Sequence, residues 1–203
     1  MDSPTRPYDV MDVAREVIKN YQDFFKAKAA NKTSGNTKTL TFSKEKLVMI
    51  LYYIQGYAMQ QNGIPMFRDP MVALSTVYLD IESAEFQKEF HEFGYMREDL
   101  SASMMEMHTK LLAGYKPEAI SLSDRQMIFD VCRGFIPHYA LNIFGALLVN
   151  ELTFQNGVAH TLCNYENHKP AAAIDLKMLG DEFKLRSEKR KARTDYLLKQ
   201  KRA

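Results

Sequence analysis

The stretch Lys46-Leu47-Val48-Met49-Ile50-Leu51-Tyr52-Tyr53-Ile54-Gln55-Gly56-Tyr57-Ala58-Met59-Gln60-Gln61-Asn62-Gly63 decides the fold. Its apolar run over 47–54 is eight residues long and, taken alone, fits a buried strand. The flanks argue for a helix. Ser43 is placed to cap one, Glu45 falls in a first turn where the helix dipole favours an anion, and Gly63 is placed to end it. Caps about twenty residues apart enclose far more chain than the usual ~4–8 residues of a strand. Residues 42–62 are therefore predicted as a helix that is apolar nearly all round, which is the signature of a central, buried one.

Working outward, a first helix is expected from near Asp9, because Val10, Val13, Ala14, Val17, Ile18, Tyr21, Phe24 and Phe25 recur at spacings of three and four. Residues 31–39 (NKTSGNTKT) are polar and rich in turn formers, and read as a mobile loop. After the central helix, Asn62-Gly63-Ile64-Pro65 reads as a turn, and residues 71–81 (MVALSTVYLDI) fit either a short helix or an extended segment. Ser83 opens a helix carrying Phe86, Phe90 and Phe93, and Asp99 or Ser101 opens another that ends at Gly114. Ser123 with Gln126 makes a capping box for a short helix ending near Gly134. Pro137 suits the first turn of an apolar helix over 138–154, which Gly157 stops. A last helix from about Ile174 begins amphipathic and becomes highly charged after Phe183. The expected fold class is mainly α: a single compact multi-helix domain over 1–183 around a central buried helix, with room for a short β element. A basic, charged tail, helical or mobile, follows over 184–203.

Composition narrows the class. A chain of 203 residues with 46% apolar content can bury a core without a disulfide or metal staple. Its two cysteines, Cys132 and Cys163, and the lack of a basic-then-apolar leader point to a reducing, cytoplasmic setting. The longest apolar run is far short of the ~20 residues that span a bilayer as a helix, so no membrane partner is expected. Twelve methionines, nine glycines and no tryptophan fit a helical core better than a twisted β sandwich. The net charge of +2 conceals an asymmetry: residues 184–203 hold nine Lys/Arg against Glu188 and Asp195, a net +7, which leaves −5 on residues 1–183.

Little in the sequence points to chemistry. The phosphate-cradling P-loop, the dinucleotide-binding glycine fingerprint, the nucleophile elbow and the zincin helix motif are all missing from the sequence. Cys132, His138, His160, Cys163 and His168 are ligand types that zinc accepts, but only His160-x-x-Cys163 is tightly spaced. His160, Cys163 and His168 are carried as metal candidates against the preferred reading, in which the cysteines are small buried hydrophobes and the histidines lie at helix ends or on the surface. Cys132 and His138 make a poor nucleophile and base pair because they straddle a predicted helix break. Glu82, Glu85, Glu89 and Glu92 read as a solvated helix face, and Tyr52, Tyr53 and Tyr57 as core packing. No catalytic residue and no cofactor is expected. The basic tail has three readings: a solvated charge run, a contact for nucleic acid or a partner through Lys189, Arg190, Lys191 and Arg193, or a recognition segment for another protein.

The motif Lys46-Leu47-Val48-Met49-Ile50-Leu51-Tyr52-Tyr53-Ile54-Gln55-Gly56-Tyr57, continuing to Asn62-Gly63-Ile64-Pro65-Met66-Phe67, resembles the Panacea antitoxin domain family, also known as phage-associated proteins. In that family a helix reading roughly L-Q-K-L-L-Y-Y-x-Q-G-Y leads to a glycine turn and a P-L-F element. Residues 8–18 look like the family's opening helix, and residues 122–130, 141–153 and 174–183 like its closing ones. The family's A-W-x-x-G-P-V-V-P-x-x-Y segment is replaced here by Ala73-Leu74 and residues 75–81, the lysine of L-Q-K-L is Met49, and the histidine-and-tryptophan motif is missing. The resemblance implies a non-enzymatic protein that neutralises a cognate toxin by direct contact, or presents a client to a protease as an adaptor, often phage or prophage encoded. Its partner is expected to meet an exposed apolar patch rimmed by polar groups. The next reading is a nucleic-acid-associated accessory protein using the basic tail, and the last a zinc-dependent enzyme around His160 and Cys163. Self-association as a homo-oligomer is compatible with each.

Overall fold

A computed structural model describes residues 4–30, 44–74, 78–90, 109–135 and 172–200. Over these the chain is mainly helical, as expected. The helices are α1 (Val10–Ala30), α2 (Lys44–Asn62), α3 (Ala84–Phe90), α4 (Leu122–Phe135) and α5 (Leu176–Gln200), with a 3-10 turn at Pro117–Ala119 before α4. The strands β1 (Met71–Leu74), β2 (Tyr78–Ile81) and β3 (Ala172–Ala173) form one sheet in the order β2-β1-β3.

Helix α2 is the centre. Leu47, Ile50, Leu51, Ile54 and Ala58 have no exposed surface, and the helix packs against α5, α4, α1 and β2. A leucine or isoleucine side chain stabilises by roughly 1.5–3 kcal/mol when fully buried. Gly63 ends the helix as its sequence position predicts: it adopts φ +70 and donates its N–H to the Met59 carbonyl at 3.0 Å. Residues 31–43, including the polar loop and Ser43, lie outside the described residues.

The chain then folds back. Gln55, fully buried, accepts from the backbone N–H groups of Met66 (2.8 Å) and Phe67 (3.2 Å) and donates to the carbonyl of Phe67 (3.0 Å). On its other side the same segment pairs with the N-terminal arm, Tyr8 N–H donating to Met66 (2.8 Å) and Arg68 N–H to Tyr8 (3.1 Å). The Pro65-Met66-Phe67 element is thus clamped between α2 and residues 6–9. Gly56, next to Gln55, faces Phe183 of α5 so closely that a Cβ there would lie 2.3 Å from the ring.

Residues 71–81, ambiguous in sequence, are strand at both ends, with Met71 opposite Ile81 and Val72 opposite Asp80. Met71, Ala73 and Ile81 are buried, the two-residue alternation of a sheet with one covered face. The deciding partner is distant in sequence: Val72 also pairs with Ala173.

One capping assignment is corrected. Helix α4 begins after Ser121, not Ser123: the Ser121 hydroxyl accepts from Asp124 N–H at 3.3 Å, and its carbonyl accepts from Arg125 N–H at 2.9 Å. The residue three positions on is Asp124, which Tyr8 and Arg6 hold in place; its carboxylate accepts from the Ser121 hydroxyl, while the Ser121 N–H donates to the Tyr8 oxygen at 3.3 Å, so Tyr8 takes the place of the reciprocal bond of a capping box. Asp175 caps α5 by accepting from Met178 N–H at 2.9 Å. That helix continues without a break to Gln200, so the described part of the basic tail is helical.

Candidate partner-docking groove

Two helix faces meet at the surface beside the core. From α1 come Glu16, Lys19, Asn20, Asp23 and Phe24; from α4, Leu122, Arg125, Gln126 and Phe129. Both sets are spaced at three and four, so each is one face of its helix. With Tyr115 they line an open groove of about 450 Å³.

The floor is polar and internally satisfied. Glu16, 5% exposed, accepts from the Tyr115 hydroxyl at 2.7 Å and from Arg125 Nε at 3.1 Å, while Arg125 Nη2 donates to the Tyr115 oxygen at 3.1 Å. Asn20 donates to the Glu16 carbonyl at 2.8 Å. Burial, and then the hydrogen bond to Glu16, pushes the Tyr115 phenol up to about 12, so it stays protonated and acts as a donor. These groups brace the two helices against each other.

The lip is apolar and open. Leu122 is 81% exposed and Phe129 38%, and the Phe129 ring stacks on that of Phe24, with centroids 5.9 Å apart and an 11° interplanar angle. Lys19 and Asp23, paired at 2.6 Å, and Gln126 complete a polar rim. The opposite face of α4, with Ile128, Val131 and Cys132, is buried, so α4 is apolar on two sides. The sequence places α4 but not the groove. The available signal was Leu122 and Phe129, seven apart and off the buried face; the pairing of α4 with α1 was not visible.

Beside the groove Asp124 anchors the N-terminal arm. It accepts from Arg6 Nε (2.9 Å), Tyr8 Oη (2.7 Å) and Ser121 Oγ (3.0 Å), and forms an ion pair with Arg6. Burial alone would raise this carboxyl, but the hydrogen bonds from Arg6, Tyr8 and Ser121 together hold it below its ordinary value. A depressed carboxylate stabilises fully above the unfolded value near ~4, and that contribution is lost as pH falls through the lower folded value. Asp124→Asn should therefore cost about 1–3 kcal/mol at pH 7 in urea unfolding, with the gap to the natural protein closing below about pH 4. A gap of the same size at both pH values would show that the charge of Asp124 is not what holds the arm.

The residues singled out in the sequence fall as follows in the structure. Cys132 is fully buried in α4, and burial, followed by the charge of Glu16, pushes its thiol far above the ordinary range, which suits a packing residue. His138, His160, Cys163 and His168 lie outside the described residues. Among the described residues no three His, Cys, Asp or Glu side chains come together as metal ligands. Glu82, Glu85 and Glu89 are exposed, and Glu92 lies outside the described residues. Tyr52, Tyr53 and Tyr57 pack around Phe183 with centroids 5.7, 5.4 and 5.1 Å from its ring. Lys189, Arg190, Lys191 and Arg193 are exposed on α5 and take no part in the groove. No described helix is long and apolar enough to cross a membrane.

Fold and groove together define a mainly helical chain with a braced, apolar-lipped surface between two helices. Comparison with protein-family models, with curated proteins and with solved structures finds no match to the chain. The antitoxin-domain resemblance therefore rests on the residues quoted for it.

Proposed function

We propose that this chain is a non-enzymatic, cytoplasmic protein-binding protein whose α1/α4 groove receives an amphipathic helix of a protein partner, and that it acts by occlusion, as an antitoxin or adaptor does. The observation that carries this reading is Leu122, 81% exposed beside Phe129 and Phe24 and rimmed by Lys19, Asp23 and Gln126. Large apolar side chains grouped inside a polar rim are the usual composition of a recognition surface. Leu122 and Phe129 are two helical turns apart, about 10 Å, the spacing at which a partner helix presents anchors at i, i+3 or i+4, and i+7. The resemblance in residues 46–67 supports the antitoxin-like role; the groove itself supports only partner binding.

The test is co-expression of the full chain with the product of the adjacent open reading frame, followed by copurification and growth rescue. Leu122→Asp and Phe129→Asp should each weaken the complex about 30-fold or more, as expected for central anchors worth about 2 kcal/mol or above. Glu89→Gln, on an exposed face elsewhere, should leave it unchanged. A partner that copurifies equally with both Asp variants would refute the groove, and a neighbour that neither binds nor is rescued would refute the antitoxin role.

A further inference from the structure

Among the described side chains, the buried ones of helix α5 lie in its first half. The last hydrogen bond from it to the body, among the described residues, is Gln60 Nε2 to Ser187 Oγ at 2.8 Å, and every residue from 188 to 195 is exposed. From Ser187 to Gln200 the helix runs on for about 20 Å. The exposed stretch over 188–195 gains nothing from core burial, so its sequence is free to serve a partner.

That sequence is sorted by charge. Arg186, Lys189, Arg190 and Arg193 follow the spacing i, i+3, i+4, i+7 and share one face over about 10 Å. Arg186 is paired with Glu182. Among the described residues Lys189, Arg190 and Arg193 make no ion pair. Glu188 and Asp195 fall on roughly the opposite side, at helical spacing from Lys184 and Lys191, where the two signs alternate. A helix that merely needed solubility would intermix its charges; from Arg186 to Asp195 one face is balanced and the other holds cations alone.

The geometry points to the phosphate backbone of double-stranded DNA as the ligand of this face. A helix about 10–12 Å across with side chains fits the ~12 Å major groove, whereas the deep, narrow major groove of duplex RNA does not admit one. Single-stranded nucleic acid is held largely by stacking of successive bases on several aromatic side chains, and one ring alone, Tyr196, falls at helical spacing from Lys189 and Arg193. A membrane surface would need an apolar face, yet the apolar residues after Arg186, namely Ala192, Tyr196, Leu197 and Leu198, are spread around the helix at about 100° per residue rather than gathered on one side. Binding is to phosphates, without base specificity.

The experiment is fluorescence anisotropy of the full chain with a labelled random-sequence DNA duplex over a salt series. Three to four cations predict a slope of log K against log salt of about −2.7 to −3.6. The pair Lys189→Gln with Arg193→Gln should reduce that slope by about 2 and weaken binding about 50-fold near ~0.1 M salt. The pair Lys184→Gln with Lys191→Gln removes the same charge from the other side and should change affinity less than about threefold if the face, not net charge, is what binds. Both pairs sit on exposed positions, and circular dichroism checks that each variant is folded. Equal losses from the two pairs, a salt-independent signal, or no duplex binding at low salt would overturn the assignment. So would tighter binding to single strands, or binding to phosphatidylserine vesicles without binding to the duplex. The cationic face shares no residue with the α1/α4 groove, so either reading can fail alone.

Discussion

Gly56→Val will cost the protein about 3 kcal/mol of stability and unseat α5. A Cβ at position 56 would lie 2.3 to 2.5 Å from three atoms of the Phe183 ring. The ring cannot step aside: it is 2% exposed, enclosed by Tyr52, Tyr53 and Tyr57, and covered by the Arg186 guanidinium 5.6 Å from its centroid. Overpacking of this kind costs about 1–3 kcal/mol, and valine, branched at Cβ, belongs at the upper end. Gly56→Ala should cost less, because alanine recovers about 1 kcal/mol of helix propensity. Urea unfolding measures both, and a cycle with Phe183→Leu identifies the cause. Shrinking the ring should relieve much of the Gly56→Ala penalty, giving a coupling above about 1 kcal/mol. Additive single and double variants, or a stabilising Gly56→Ala, would mean that α5 is not packed on this glycine.

Gln55→Leu is the second large loss, about 3–5 kcal/mol, although leucine fits the helix and nearly matches the volume. The substitution removes the partners of Met66 N–H, Phe67 N–H and the Phe67 carbonyl inside the core. Each buried polar group left without a partner costs about 1–3 kcal/mol. Gln55→Glu is the informative companion. A protonated glutamic acid can still donate to Phe67, whereas a buried carboxylate cannot, so burial raises its folded-state value above the ordinary ~4. The Glu variant should be closer to the natural protein at about pH 5 than at about pH 8, since ionisation above the raised value removes that bond. Loss of less than about 1 kcal/mol in Gln55→Leu would show that the clamp on Pro65-Met66-Phe67 is held by the N-terminal arm alone.

These two residues change how the sequence motif is understood. Tyr52, Tyr53, Gln55, Gly56 and Tyr57 carried the family resemblance, and in the fold each has a structural role. Three rings surround Phe183, one amide spans a backbone turn, and one missing Cβ makes room beneath a helix. A motif with those roles preserves an architecture. The exposed lip of the groove, Leu122 and Phe129, lies outside that motif.

The basic tail was legible in composition but not in arrangement. Read as a run, Lys189, Arg190, Lys191 and Arg193 form one cluster. As a helix, about 100° per residue turns Lys191 away and brings Arg186 into line with the other three. The Ser121 cap shows the same limit at closer range. Ser123 with Gln126 matches the local rule equally well, and what selects Ser121 is Asp124, held by Arg6 and Tyr8 from more than a hundred residues earlier.

By itself the sequence determined whatever acts within a turn or two of chain: the extents of α1 and α2, the glycine that ends α2, the wholly apolar character of the central helix and the surplus of charge after Phe183. Caps, dipoles and periodicity operate at that range. Tertiary structure alone decided the pairing of residues 71–74 with 78–81 and 172–173, the fit of Gly56 to Phe183, the clamp on residues 65–67 and the groove between α1 and α4. In each of these the deciding contact crosses between segments that only packing brings together, and no local propensity specifies which distant segment that will be.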